Sequence, residues 1–352
     1  MEYAKKELLS GHYEQGKQWA RKALRADPVY IPAWLSLAEL ENNSGNPSHA
    51  NEILEYLDND LMRDILRWRW DKAMLAYLLG REDILTADLA WLLQQDNLTR
   101  ETRKKALDFA FSLWSEPAVL LEKMGEENAE KLFYHAVDLQ KLETADFLWP
   151  NLNHTRLEAE KILMYINMLI KSEKTDTAAR LWKEFYPNDT LLYNGQFTLP
   201  LVKGGFGWRI WSSEGAAVDL QTPLIGPSSL HVRFNGEKNI NFQHVNQIIP
   251  LHPTGENFTL TGELRSKGLT TDQRPFVEVL GIACSFRAVT DMVAPDQEWT
   301  QFSLNFSIPE DCRQGILVRL RRLPSRKIDS HISGDLWMTN FSLQPASQNA
   351  SQ

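Results

Sequence analysis

Cysteine is nearly missing from this chain: Cys284 and Cys312 are the only two in 352 residues. Two cysteines allow no zinc-ligand set and no CxxC pair. They could pair in an oxidising compartment, but the usual burial of cysteine makes two buried free thiols the expectation. Long apolar runs are lacking as well. The nearest, "ILMYINMLI" (Ile162–Ile170), carries Asn167 and falls short of the ~20 residues that cross a bilayer. No charged segment followed by an apolar one opens the chain, so it reads as soluble as written.

Positive charge is in deficit. The net charge is −8, and from Leu191 onward 14 basic residues balance 14 acidic ones, so the excess of acid lies entirely before that point. Phosphate binding needs clustered Lys and Arg, which excludes nucleic acid as the partner and favours a protein or a neutral glycan. Catalytic signatures are missing too. There is no GxSxG, HExxH, P-loop or dinucleotide fingerprint, and the eight histidines form no HxxxH or His/Cys cluster. Glu263 and Glu278 are a carboxylate pair of the sort any sandwich offers by chance. "GGFG" is a turn and "SRKID" a charged loop. Neither an enzymatic activity nor a cofactor or metal is expected.

What is present suits two folded domains: 43% hydrophobic and 24% charged residues over a length too great for one ordinary core. "GHYEQGKQWARKALRADP" (Gly11–Pro28) runs into "IPAWLSLAELENNSGNPSHANEILEYL" (Ile31–Leu57), and Gly11 and Gly45 are 34 apart, as are Gly16 and Ala50, Ala20 and Leu54, and Ala23 and Leu57. Small residues at such spacing let two antiparallel helices cross closely, and glycine relieves the turn between them. With Trp34, Leu37, Ala38 and Gly45, the second copy resembles the tetratricopeptide repeat. Helical periodicity then continues to Tyr186 through segments such as "ILTADLAWLLQQ", "TRKKALDFAFSLW" and "RLEAEKILMYINMLI", broken at Gly80, Glu116–Pro117, Gly125, Pro150 and Pro187. The expected domain is an α-solenoid of helical hairpins over 1–190, docking a protein partner. Counted from Gly11, the first repeat lacks its opening four positions. A membrane anchor or signal upstream of Met1 is the first expectation, with an extra capping segment as the alternative.

At "LLYNGQFTLPLVKGGFGWRIW", from Leu191, the period is lost and glycines crowd in. Short alternating segments follow: "SSLHVRF", "NFQHVNQIIPL", "NFTLTGELRS", "PFVEVLGI", "WTQFSLNFSIP", "GILVRLRRL" and "GDLWMTNFSL", parted by turns such as "NGEKN" and "HPTGE". Seven or eight strands predict an antiparallel β-sandwich over 191–345, then a polar tail at 346–352. The opening "NGQF", then "FGW", "SLHVRF", "IIPLHPTGENFTLTGELRS" and the closing "GDLWMTNFSL" resemble the jelly-roll carbohydrate-binding modules of galactose-binding-like type. In that family an acidic residue after the opening phenylalanine and an aspartate in the last strand help hold calcium. Thr198, Thr339 and Asn340 stand at those places, which puts calcium in doubt. The whole arrangement resembles bacterial envelope proteins with an N-terminal anchor that accompany exopolysaccharide machinery. That resemblance implies a periplasmic or extracytoplasmic, membrane-tethered protein.

Alternation points His231, Arg233, Glu263, Arg265, Glu278, Arg319 and Arg321 outward, together on one outer sheet face. One reading is a polar trough for sugar hydroxyls or uronates, with arginine as bidentate partner. The other is a cross-strand ladder of opposite charges. The ladder is preferred, because sugar platforms need exposed aromatics and alternation assigns none to that face. Trp208 and Trp211, three apart around a turn, pack the domain boundary, and at most one is a sugar platform. Gln243 and His244, with Gln247, form a candidate hydrogen-bonding cluster. Trp337, in phase with Phe341 and Leu343, is expected in the core. The reading is a noncatalytic adaptor with a polysaccharide as the candidate ligand of its sandwich; the alternatives are a pure interaction scaffold and a degenerate polysaccharide-active enzyme.

Overall fold

A computed structural model describes residues 2–63, 65–251 and 257–346. The polar tail beyond Ala346 and the expected turn at 252–256 lie outside the described residues. The chain forms two compact units, Met1–Leu157 and Glu158–Gln352.

The first unit is helical. Its helices pair as hairpins: α1 (Glu2–Leu9) with α2 (Tyr13–Ala26), α3 (Ile31–Asn43) with α4 (Pro47–Tyr56), α5 (Arg69–Leu78) with α6 (Glu82–Gln94), and α9 (Ala129–Asp138) with α10 (Leu142–Leu148). Between the last two pairs lie α7 (Arg100–Leu113) and α8 (Pro117–Met124). Successive hairpins pack on one another, α2 on α3, α3 on α5, α6 on α7 and α8, and α8 on α10. The residues that match at the 34-residue interval hold the crossings. Ala20, Ala50, Leu54 and Leu57 are fully buried. A Cβ added to Gly16 would come 2.7 Å from Leu40 Cδ2, so α2 and α3 approach closely only because that side chain is missing.

The second unit opens with one more hairpin, α11 (Ala159–Lys171) and α12 (Thr175–Phe185), and then becomes all-β. The first sheet runs β1 (Arg209–Ile210), β4 (Phe242–Ile249), β9 (Ile316–Arg322), β6 (Phe276–Gly281), β7 (Arg287–Val289). The second runs β2 (Ala216–Gln221), β3 (Ser229–Asn235), β10 (Ser333–Pro345), β5 (Asn257–Lys267), β8 (Gln297–Ser307). All pairings are antiparallel, and inner residues of both sheets share one core, including Leu230, Val232 and Phe234 from β3 and Val318 and Leu320 from β9. This is a β-sandwich. It has ten strands rather than seven or eight; the short edge strands β1 and β7 leave too little alternation to read from sequence.

The expectation of free thiols is overturned. Cys284, after β6, and Cys312, before β9, are disulfide-bonded with Cα atoms 5.1 Å apart. Gly281 makes room for the bridge: a Cβ there would lie 2.0 Å from Cys284 Sγ and 2.8 Å from Cys312 Sγ.

Trp337 is a second correction. In β10 the pairing with β5 shifts between Thr339 and Ser342, around Asn340 in left-handed conformation at φ 54°. This bulge reverses the phase of the strand. Leu336 and Met338 therefore share the core with Phe341 and Leu343, and Trp337 stands on the outer face.

Candidate functional site

The single outer face expected from alternation divides between the two sheets, because β3 and β5 lie in one and β6 and β9 in the other. His231, Arg233, Glu263 and Arg265 are on the second sheet, and Glu278, Arg319 and Arg321 are on the first.

On the second sheet the polar groups satisfy one another. His231 is buried, its Nε2 2.7 Å from Asp335 Oδ1 and its Nδ1 2.9 Å from Gln221 Nε2. Arg233 Nε reaches Asp335 at 3.3 Å, and Arg265 Nε lies 3.5 Å from Glu298. The Trp337 ring stacks on His231 at 4.7 Å with 9° between planes, while the Arg265 guanidinium sits 5.1 Å from its centre. Its indole N–H donates to Gln221 at 2.9 Å. This is the ladder reading, with a tryptophan already stacked on a histidine and an arginine. Glu263 lines a polar cavity of about 390 Å³ with Thr198, Gln301 and Asn340, and accepts from Asn340 Nδ2 at 3.0 Å. Thr339 is turned away and donates to the Ser228 carbonyl at 2.7 Å. One carboxylate already engaged by an amide is a poor donor set for a hard cation.

The first sheet is different. Across its outer face one row of register partners reads Arg209, Asn246, Arg319, Glu278, Val289. The alternate residues Ile210, Val245, Val277, Val279, Val318 and Leu320 meet the core, so the row faces outward. Glu278 is nonetheless only 2% exposed, because arginines close over it. Arg287 Nε bonds its Oε1 at 2.6 Å, Arg319 Nε its Oε2 at 2.6 Å, and Arg321 Nε lies 4.0 Å away. Arg321 is fixed from behind by the carbonyls of Phe242 and Arg322 and by the Asn241 side chain. Burial, and then the neighbouring charge of Arg319, hold its guanidinium below the usual arginine value.

Gln243 and His244 occupy an irregularity in β4 where pairing with β9 shifts between Phe242 and Val245. Arg319 Nη1 donates to Gln243 Oε1 at 2.8 Å, and the His244 ring lies against Phe242 at 5.1 Å. Trp211 lies next to β1, its amide donating to the His244 carbonyl at 3.1 Å and its ring edge-on to the imidazole at 5.3 Å. Burial lowers the pKa of His244, so the ring is neutral near pH 7. The two tryptophans of the opening stretch separate here. Trp208 is 1% exposed, packed against Phe197 and Phe341, with its N–H donating to the Asn194 carbonyl at 3.2 Å; Trp211 is 44% exposed. Trp208 is core and carries no ligand contact.

Sequence reasoning missed Arg209, Asn246 and Arg287. Arg209 could have been found, since in "WRIW" Ile210 points in and Arg209 out. Arg287 sits in a three-residue edge strand with too few positions to set a phase.

No family model matches the sequence, and no curated protein is similar to it. Among solved structures, a CBM4 module is 16% identical, covering 44% of this chain and 99% of its own, with a TM-score of 0.33. A putative sugar binding protein from Bacteroides thetaiotaomicron is 12% identical, covering 45% and 100%, also at 0.33. A xylan-binding domain from Paenibacillus barcinonensis is 15% identical, covering 43% and 91%, at 0.28. At these scores the likeness says nothing about a ligand of this chain.

Proposed function

We propose that this protein is a noncatalytic adaptor of cell-envelope polysaccharide assembly or export, holding a glycan on the outer face of the first sheet and docking a protein through its helical hairpins. The observation that carries the glycan reading is the exposed Trp211 ring beside His244, with Gln243 and Arg319 alongside. An apolar ring for the C–H face of a sugar, next to fixed hydrogen-bonding groups for its hydroxyls, is the pattern of a saccharide platform. Gln243 Oε1 is occupied by Arg319, which leaves its amide N–H groups as donors.

Glu278 supports a binding rather than hydrolytic role. Both its oxygens accept from arginine, and Glu263 lies on the other sheet, so the two cannot flank one glycosidic bond. The disulfide favours an oxidising, extracytoplasmic compartment. Protein docking is supported by aromatics on the helical unit, where Phe109 meets Trp70 at 6.0 Å and the half-exposed Tyr77 at 5.1 Å. Calorimetry of the full chain against a panel of bacterial polysaccharides tests the glycan reading. Binding that Trp211→Ala abolishes is the expected result; no binding to any polymer would leave the interaction scaffold.

A further inference from the structure

The outer face of the first sheet holds more positive charge than its own residues balance. Arg287, Arg319 and Arg321 gather there around one carboxylate, Glu278, and Arg209 stands in the same cross-strand row three strands away. Arg287 and Arg319 both bond it at 2.6 Å and Arg321 stands at 4.0 Å, so its two oxygens are saturated. Arg209 has no carboxylate partner among the described residues; its Nη2 donates to the Gly205 carbonyl at 3.1 Å. Burial alone depresses its pKa, with no acidic neighbour to offset it. Arg287 bonds Glu278 through Nε, and its side chain is 53% exposed.

The excess is specific to this sheet. On the second sheet His231, Arg233 and Arg265 are matched by Asp219, Asp335 and Glu298. The half of the chain from Leu191 onward is charge-balanced, so the arginines of the first sheet are concentrated there. Three guanidinium groups held close together around one carboxylate repel one another, and a second anion that accepts from them offsets that cost. The exposed indole of Trp211 adjoins the same row through His244 and Gln243.

We propose that the glycan taken by this face is acidic, a polymer with carboxylates on its sugar rings, in which one ring stacks on Trp211 at the β1 edge while the carboxylate of a residue further along the polymer is bound by Arg287 at the β7 edge. This rests on the glycan-binding reading above and names the class of sugar. The planar fork of arginine suits a carboxylate, which it can bind through two parallel hydrogen bonds.

The test is calorimetric titration of the full chain with polygalacturonate, the same polymer after reduction of its carboxyls to alcohols, neutral xylan, and dextran sulfate. Polygalacturonate is expected to bind, and its reduced form to bind about tenfold or more weakly, the loss of one charge-assisted contact. Arg287→Gln should remove most of that preference, and Trp211→Ala should abolish binding of native and reduced polymer alike. Equal affinity for native and reduced polymer overturns the acidic specificity and leaves the glycan reading standing. Tight binding of dextran sulfate that Trp211→Ala does not affect also overturns it, as diffuse ion exchange. Binding to none of the four overturns both.

Discussion

Gln140 occupies, after α9, the same left-handed position that Gly45 occupies after α3, at φ 55° and 89° respectively. In each the amide of that residue donates three residues back, Gly45 to Asn42 and Gln140 to Val137. The next amide donates five back, Asn46 to Glu41 at 2.9 Å and Lys141 to Ala136 at 2.8 Å. Gly11, Gly80 and Glu173 repeat the pattern. It is a Schellman close, which turns one helix of a hairpin into the next.

A left-handed residue with a Cβ is strained, so Gln140→Gly should stabilise the protein by about 0.5–1 kcal/mol, and Gly45→Ala should destabilise it by about 1 kcal/mol. Thermal unfolding of the two variants reads both signs. A stabilising Gly45→Ala would contradict the shared turn.

The two tryptophans of the boundary stretch should respond oppositely. Trp208→Ala removes a buried indole and should cost about 3–5 kcal/mol of stability. Trp211→Ala should change stability by less than about 0.5 kcal/mol and abolish polysaccharide binding. Denaturant unfolding beside calorimetry separates these effects; comparable destabilisation by both would place Trp211 in the core.

Glu41 is the acid on which the first two hairpins converge. It is 2% exposed and accepts from Lys17 at 3.3 Å, Arg21 at 2.9 Å and Asn46 at 3.1 Å. Burial pulls its pKa up most strongly of any one influence, but the hydrogen bonds from Asn46 and Lys17 and the nearby positive charge together outweigh it, and the result lies below the ordinary 4.5. A carboxyl depressed on folding contributes stability above its unfolded pKa and loses it as pH falls through the folded one. Stability should therefore drop as pH falls below about 4.5, and Glu41→Gln should flatten that drop while lowering stability near pH 7. An unchanged acid limb in Glu41→Gln would exclude Glu41 as its source.

With a sequence separation of 28 between its ends, the Cys284–Cys312 bridge should contribute about 3–4 kcal/mol through the unfolded chain. Thiol titration of denatured, unreduced protein should find no free cysteine, and Cys284→Ser with Cys312→Ser should lower the unfolding midpoint. Two reactive thiols would contradict the pairing.

Arg322 is fully buried and spends its guanidinium on the Gln273, Ile240 and Ser330 carbonyls and on Asn239. Arg322→Lys cannot reproduce that fork and leaves buried carbonyls unpaired, so it should cost more than about 2 kcal/mol. Near-wild-type stability in denaturant would show those carbonyls find other partners.

The helical half was legible where glycine marks the turn and opaque where it does not. Gly11 and Gly45 announced the first hairpins, whereas Gln140 and Glu173 hold the same backbone shape with side chains that favour helix interiors. In the sandwich, alternation placed Leu230, Phe258 and Arg319 correctly, since their strands run without interruption. It failed at Trp337 because the bulge at Asn340 inverts the phase, and nothing in "WMTNF" declares a bulge. It could not assign strands to sheets, so residues of two faces were read as one. Glu278 was read as exposed because alternation gives direction and not the arginines that cover it.

The most direct test of the account is the structure of the full chain with an acidic oligosaccharide bound. One sugar ring stacked on Trp211 and the carboxylate of a residue further along the oligosaccharide on Arg287, with the chain lying across the row from Arg209 to Glu278, is the expected result. A sugar seated on the second sheet beside Trp337, or among the helical hairpins, would contradict it.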